Sequence, residues 1–526
     1  MTRAAPGPVI LALDSGTSVV KAVAFAADGT TIGSASRANL FSTDADGAVE
    51  QDMARTWTDA RDVLAELVGR LAGREIAALA VTAQGDGTWL IDADGEPVAP
   101  AWLWLDSRAA VPAETFRASA AARIGFAHTG SGYNACQQSA HLLWLAEHRP
   151  EVLARAATAF HCKDWLYFCL TGTRVTDPSE ACFTFGSWRE RAYSDEVIEA
   201  VGVSRWRHLL PPVLEGTRDS HKLSAEAAAV TGLPEGLPVV LGYLDVACAA
   251  LGAGLYGTGA EAGVSILGST GMHLRLVPRA EEVRPNPAMT GYCMTFPVPG
   301  HTMQAQTNMA ATLNMDWVAD MAWEAAELAG AQRGRDRLQM LRALDDAVAD
   351  ARPGAVLYHP FISLAGERGP FTDSFARASL LGIDQTVRFA ELARGVYEGL
   401  GFAARDCYLG TGKIPDIVYI TGGAARSAPM RAIVAAAVNR PVRIAAQAEA
   451  GAAGAAMMAA VRIGMFPDMA SCAEAWVAPL LGAREEPDPA LAQLYDTLYP
   501  IYREAYAALP GVWRHLAASR ETRHGN

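Results

Sequence analysis

The sequence predicts a two-lobed α/β protein with its active site in the cleft between the lobes. Three observations predict it. The chain has 526 residues, more than one ordinary core organises, so two or more domains are expected. Short apolar runs of strand length alternate with longer stretches of helical periodicity. Two distant segments, 8–25 and 262–277, share one plan: an apolar strand, a Ser/Gly/Thr loop and a second apolar strand. The expected division is a first domain over 1–256 and a second over 257–526.

Composition narrows the function. Apolar residues make up 51% and charged residues 19%, the balance of a packed globular protein. The net charge of -13 opposes a nucleic-acid partner, because phosphate backbones are bound by basic faces. A nucleotide ligand stays open, since loops and helix N-termini hold phosphates without net charge. The eight cysteines form no Cys-x-x-Cys pair and no zinc pattern. Most sit in apolar settings, so reduced thiols in a cytoplasmic protein are expected. The apolar run 9–13 stops at Asp14, and no secretory leader is read. The small-apolar run 451–461 falls short of the roughly 20 residues of a membrane span, so no membrane partner is expected.

The run 9–13 is a buried strand by its continuous apolar character. The loop Asp14-Ser15-Gly16-Thr17-Ser18 follows, 19–25 resumes as a strand, and Asp28-Gly29 marks a hairpin turn. This is either a phosphate-holding hairpin or an ordinary one. Gly-x4-Gly-Lys-Ser/Thr is absent, so it is no Walker A loop. Residues 54–71 have helical spacing, with Trp57, Val63, Leu64, Leu67, Val68 and Leu71 on one face. A strand over 76–81 runs into Thr82-Ala83-Gln84-Gly85-Asp86-Gly87. After Trp89-Leu90-Ile91 and the Asp94-Gly95 turn comes Trp102-Leu103-Trp104-Leu105-Asp106-Ser107-Arg108. Polar loops beyond strand ends are where α/β sheets bind ligands. A small polyol needs carboxylates and amides for its hydroxyls and an aromatic face for its carbons. Gln84, Asp86 and Trp104 supply these. Trp104 reads equally as a core residue, and Asp86, between glycines, as a turn former. Residues 117–159 are mostly helical. His161 and Lys163 are either site groups or structural polar residues. The helix 225–231 is stopped by Gly232.

The organising stretch is 242–271. The apolar run 237–241 leads to one acid, Asp245, read as lying at a strand end, where it is placed to accept a proton. A small-residue run then leads to a second strand and the loop Gly268-Ser269-Thr270-Gly271, whose N–H groups and hydroxyls suit phosphate. Residues 305–350 and 389–406 are read as helical. A strand over 417–420 enters Thr421-Gly422-Gly423-Ala424-Ala425-Arg426-Ser427, where two glycines let a flat ring or phosphate approach the backbone. A helix over 430–438, a strand over 442–444 and a small-residue helix opening at Glu449-Ala450-Gly451 follow. The region 484–526 is terminal and helical, with a basic end.

Two lobes that each begin with a phosphate-grasping hairpin are the plan of the actin, hexokinase and Hsp70 superfold, a ribonuclease H-like arrangement with ATP between the hairpins. The motifs Asp14-x-Gly16-Thr17, Trp104-x-Asp106-x-Arg108, Lys163-Asp164-Trp165-Leu166 with Leu170-Thr171-Gly172, and Asp245 with its small-residue run occur in that order. Gly268-Ser269-Thr270-Gly271, Gly366-Glu367-Arg368 and Thr421-Gly422-Gly423-Ala424-x-x-Ser427 complete the set. Together they resemble the FGGY family of carbohydrate kinases over nearly the whole chain.

The resemblance implies an ATP-dependent phosphotransferase acting on a small polyol or sugar, with Mg2+ as cofactor. It implies Asp245 as general base and Asp14 near the Mg2+, directly or through water. Thr17, Ser18, Lys21 and Thr270 match phosphate-loop positions, and Gly422, Gly423 and Ser427 match the adenosine loop. Gln84, Asp86 and Trp104 match positions around the acceptor. Polyol and base then belong to the first domain and nucleotide to the second. A homo-oligomer, specifically a dimer, is expected. The sequence departs from the family at Gly85-Asp86, where glycerol-phosphorylating members carry Arg-Glu; this disfavours glycerol. His141 replaces the family's Lys three residues before Trp144, and Gly395 replaces a small Ala or Ser. The strings QGDGTWLID (84–92), AWLWLDSRAA (101–110), FHCKDWLYF (160–168), GSTGMH (268–273) and TGGAARS (421–427) resemble members that phosphorylate erythritol, which implies erythritol 4-phosphate as product. Xylulose, ribulose, glycerol or a pentitol are the alternative acceptors. A nucleotide-dependent interaction protein of the Hsp70 or actin type, and a non-catalytic sugar sensor, are the alternatives of other classes.

Overall fold

The computed structural model describes residues 7–71, 73–257, 259, 261–330 and 337–524, of 521–524 the backbone alone. The readings of residues 1–6 and of 331–336 lie outside them. In the first half, β1 (Val9–Ser15) and β2 (Val19–Phe25) form an antiparallel hairpin, extended by β3 (Thr31–Ala38). On the other side of β1, β4 (Ile76–Ala83) runs parallel. With β5 (His221–Lys222) and β6 (Pro238–Leu241), the sheet order is β5-β6-β4-β1-β2-β3. The helices that place the site are α1 (Met53–Arg70), α2 (Cys162–Thr171), α3 (Pro178–Phe185) and α4 (Asp245–Gly252).

The second half repeats the plan. Strands β7 (Ala262–Leu267) and β8 (Gly271–Val277) form an antiparallel hairpin. They are joined by β9 (Tyr292–Thr295), β10 (Thr302–Asn308), β11 (Ile417–Thr421) and β12 (Val442–Ile444) in the order β9-β10-β8-β7-β11-β12. Here too the parallel neighbour, β11, lies on the far side of the hairpin's first strand. The shared plan of 8–25 and 262–277 is thus one hairpin at equivalent places in two sheets. Helices α5 (Phe389–Gly410), α6 (Ala428–Val438) and α7 (Ala450–Arg462) belong to this half by sequence.

Both faces of the central strands β1, β2, β4 and β6 are covered, so these strands are apolar on both sides. Val9, Leu11 and Leu13 pack with Val63, Leu64 and Leu67 of α1. The alternate residues Ile10 and Ala12 face a second core built by α4 and α7. Helix α7 therefore crosses back to pack on β1 and β4 of the first sheet. The small-residue runs explain the crossing. A Cβ at Gly454 would lie 1.9 Å from the Cys248 carbonyl oxygen, and one at Gly252 would lie 2.2 Å from that of Ala450. Only glycine allows the backbones of α4 and α7 to touch at these points.

Two expectations are corrected. Asp245 does not end a strand: β6 stops at Leu241, and Asp245 is the first residue of α4. The stretch read as helical from 305 begins with strand β10, and its helix starts at Thr312. All eight cysteines are free thiols, with Cys169 half-buried and the others buried. Among the described residues no helix is long and apolar enough to cross a membrane.

Candidate active site

The end of β1 places Asp14 opposite Lys21 in the hairpin register. Lys21 Nζ lies 2.6 Å from Glu449 Oε2, at the entrance to α7. Asp14 itself lies against α7: a Cβ at Gly451 would sit 2.6 Å from Asp14 Oδ2. Burial pushes the Asp14 carboxyl up to about 6, against the pull of Lys21 and with a further push from Glu449. The first hairpin therefore meets the crossing helix at two carboxylates, Glu449 paired with Lys21 and Asp14 within reach of its charge. Ser18 is exposed at the tip of the loop.

A relay of side chains braces that loop. Trp104 Nε1 donates to Thr17 Oγ1 at 2.8 Å, Thr17 donates to Gln84 Oε1 at 3.0 Å, and Gln84 Nε2 donates to Gln51 Oε1 at 3.1 Å. Trp104 is 36% exposed, so it is no core residue. Its own loop is tied down by Arg108, which pairs with Asp106 and Glu50 and lies 3.5 Å over the Trp102 ring. Gln84 is buried, and its amide links the 84–87 loop to the first hairpin through Thr17.

Asp86 is a turn former, with φ 57°, and its carboxylate is only half met. Its Oδ2 takes the Cys136 thiol at 3.4 Å, whereas its buried Oδ1 has no partner. Burial, then the charge of Glu180, pushes it up to about 8; His161 and Arg368 pull it down. Arg368 comes from the Gly366-Glu367-Arg368 loop of the second half, so the two halves meet around this group. Asp245 opens α4. Its Oδ1 accepts the Val246 N–H at 2.7 Å. Burial first and the Asp14 charge second push it up to about 7, with a smaller push from Glu180.

The polar residues of 161–180 form a buried network behind Asp245. Lys163 pairs with Asp164 at 2.7 Å and with Asp177 at 2.6 Å, all three side chains at zero exposure. Burial draws the Lys163 ammonium down, but Asp164 and Asp177 outweigh it and hold the group well above its usual range. Asp177 caps α3 and accepts the Ser179 hydroxyl, and Ser179 Oγ accepts the Leu244 N–H at 3.0 Å. The network thus holds the backbone just before Asp245. Lys163 is structural. His161 and Glu180 face each other at 3.6 Å. Sequence reasoning passed over Glu180. The Asp-Pro-Ser-Glu spacing signals a helix start with Glu180 at its third position, but not the side it faces.

On the other side of the cleft, Ser269 and Thr270 are exposed, and the Ser269 and Gly268 carbonyls accept the Ala311 and Thr312 N–H groups at 2.7 and 2.9 Å. Gly422 has φ 91°, and a Cβ there would lie 2.6 Å from the Leu267 carbonyl oxygen, whereas Gly423 faces open space. Ser427 caps α6 and donates to Asp345 Oδ1 at 2.7 Å, so its hydroxyl is committed to the protein. Among the described residues no three His, Cys, Asp or Glu side chains group as a metal cage. Asp14 and Asp245 offer two carboxylates that push against each other. Such a pair fits a hard divalent cation that keeps part of its water shell.

The model of the FGGY family of carbohydrate kinases, N-terminal domain, matches residues 9–252, and that of the C-terminal domain matches residues 263–463. The chain belongs to the FGGY family of carbohydrate kinases. Erythritol kinase of Brucella abortus (strain 2308) is 51% identical over 517 residues, covering 98% of this chain and 99% of that one. The crystal structure of xylulose kinase from Rhodospirillum rubrum matches with a TM-score of 0.85 at 27% identity, over 96% of this chain and 100% of that one. The ligand-bound xylulose kinase from Lactobacillus acidophilus matches with a TM-score of 0.86 at 21% identity, over 97% of this chain and 100% of that one; this likeness shows the fold alone. The expected two-lobed, actin-like architecture is the one these FGGY kinases share, and this FGGY protein is an ATP-dependent kinase.

Proposed function

We propose that the protein transfers the γ-phosphoryl group of ATP to erythritol, giving erythritol 4-phosphate, with Asp245 as general base. The position of Asp245 carries this reading. It opens α4 with its carboxyl buried, and the charges of Asp14 in the first hairpin and of Glu180 both act on it. A carboxyl pushed up to about 7 titrates where a general base works best at neutral pH. In the reaction, the terminal hydroxyl oxygen of the polyol bonds to the γ-phosphorus and its proton passes to the Asp245 carboxylate. The bond from the γ-phosphorus to the bridging oxygen breaks, and ADP leaves. The loops after β1 and β7 hold the phosphates in line; positioning and charge neutralisation dominate such transfers. Mg2+, held at Asp14, would supply neutralisation of the phosphate oxygens when bound.

Two observations favour erythritol. The Brucella abortus relative with 51% identity is named for that substrate. Gly85 leaves the acceptor loop without a side chain, and a Cβ there would already meet Glu180 Oε1 and Leu244 Cδ1 at 3.2 Å each. A guanidinium-bearing side chain at that point would have to push Glu180 and Leu244 aside. A coupled ADP-release assay across erythritol, glycerol, xylulose, ribulose and xylitol tests the reading. Turnover is expected with erythritol. Turnover with a ketopentose alone would remove erythritol and keep the kinase, and ATP hydrolysis indifferent to any polyol would favour an Hsp70-like or actin-like role.

A further inference from the structure

Glu180 is the least explained group in the molecule. It has zero exposure, and neither carboxylate oxygen has a hydrogen-bond donor. The facing His161 Nε2 makes only a long ion pair with it at 3.6 Å and, like Asp86 Oδ1, has no hydrogen-bond partner. Leaving a buried polar group unmet costs more than a typical hydrogen bond gains, so several such groups close together point to a ligand that meets them. Their placement is specific. Glu180 Oε1 lies beside Gly85, between Gln84 and Asp86, and the Glu180 charge is felt by both Asp86 and Asp245. Asp164 fixes the His161 ring, lying 3.3 Å from Nδ1 and accepting the His161 N–H at 3.0 Å. The Lys163 pairs fix Asp164 and Asp177, and Asp177 caps the helix that carries Glu180. The whole buried network aims one carboxylate at the acceptor loop.

We propose that Glu180, held by His161, contacts the acceptor directly and reads a non-reacting hydroxyl of the polyol on the Asp86 side of Asp245. This rests on the polyol-kinase reading above and adds a specificity-determining residue to it. A hydroxyl donates to Glu180 while its oxygen accepts from His161 Nε2, so both unmet groups are satisfied by one alcohol. Sites built to bind a substrate hydroxyl discriminate strongly against analogues that lack it, because their own buried groups stay unpaired.

The test compares wild type and Glu180→Gln with erythritol, threitol and 1,2,4-butanetriol, which lacks one secondary hydroxyl. The variant should raise KM for erythritol about 10–100-fold, the worth of one hydrogen bond to a charged group. The KM for ATP should change less than about 3-fold, and the preference for erythritol over butanetriol should shrink by a similar 10–100-fold factor. An erythritol KM within about 2-fold of wild type in a folded variant overturns the inference and leaves the kinase reading standing. Wild type without polyol-dependent turnover overturns both. Should Glu180→Gln fail to fold, Gly85→Ala decides. Its Cβ would lie 3.2 Å from Glu180 Oε1 and should raise the polyol KM without changing that for ATP; an unchanged polyol KM overturns the inference.

Discussion

Replacing Asp86 by Asn tests the electrostatics of the acceptor loop without altering its size. In the folded protein, burial and Glu180 raise this carboxyl from 3.8 to about 8. In the unfolded chain it titrates near its ordinary value. A group raised on folding favours the folded state at pH below its unfolded value, and that favour is lost as pH rises through the folded value. Between about pH 6 and pH 8 the unfolded state therefore holds nearly one proton fewer than the folded state. At about 1.4 kcal/mol per pH unit, wild type should lose about 2 kcal/mol of stability across that window through Asp86 alone. Asn carries no charge at any pH, so Asp86→Asn should escape this loss. Asp245 and Glu367, raised to about 7 and about 8, contribute in both proteins and cancel in the difference. Urea denaturation followed by tryptophan fluorescence at pH 6, 7 and 8 measures it. The variant should gain on wild type by about 2 kcal/mol as pH rises. A difference that does not change with pH would refute the reasoning, because Asp86 would then be ionised and solvated in the folded state.

Other consequences follow from the same geometry. Gly451→Ala puts a methyl group 2.6 Å from Asp14 Oδ2; the displaced carboxylate should lower kcat at least about 10-fold in a folded protein, read by initial rates. Unchanged kcat would separate Asp14 from the chemistry. Lys163→Met leaves Asp164 and Asp177 buried without their cation, which should cost about 3–5 kcal/mol in urea denaturation. A loss under about 1 kcal/mol would mean the network is not charged as described. With Asp245 as the proposed base, which must be unprotonated to act, kcat/KM for the polyol should rise with pH up to about 7 and then level. A profile flat from pH 5 to 8 would contradict that assignment.

The strands β1, β2, β4, β6 and β11 were legible because they are short, nearly continuous apolar runs. The paired hairpins at Asp14 and Gly268 were legible because each is interrupted by small hydroxyl residues. Helix α4 was not, because its residues are almost all small and apolar, and a helix buried all round shows no periodic polar face. Strand β10 was hidden for the opposite reason. Its polar residues are buried and paired with distant groups, such as Gln304 Oε1 accepting from Arg275 Nη2 at 2.7 Å. Within the site, the motif residues were visible singly, but their partners were not. Lys21 meets Glu449 across the crossing helix, and Thr17 is held by Gln84 and Trp104. Glu180 was the largest omission. Its place on a helix can be read from Asp-Pro-Ser-Glu, yet its direction depends on how α3 packs against the acceptor loop.

Asp245→Asn in a single-turnover experiment with saturating Mg-ATP and erythritol tests the central claim most directly. Asn keeps the shape and the bond from the Val246 N–H but cannot take a proton. Phosphoryl transfer should slow by about 10²–10⁴-fold, the usual worth of general-base help, with nucleotide affinity unchanged. Transfer at a near wild-type rate would remove Asp245 from the role of base.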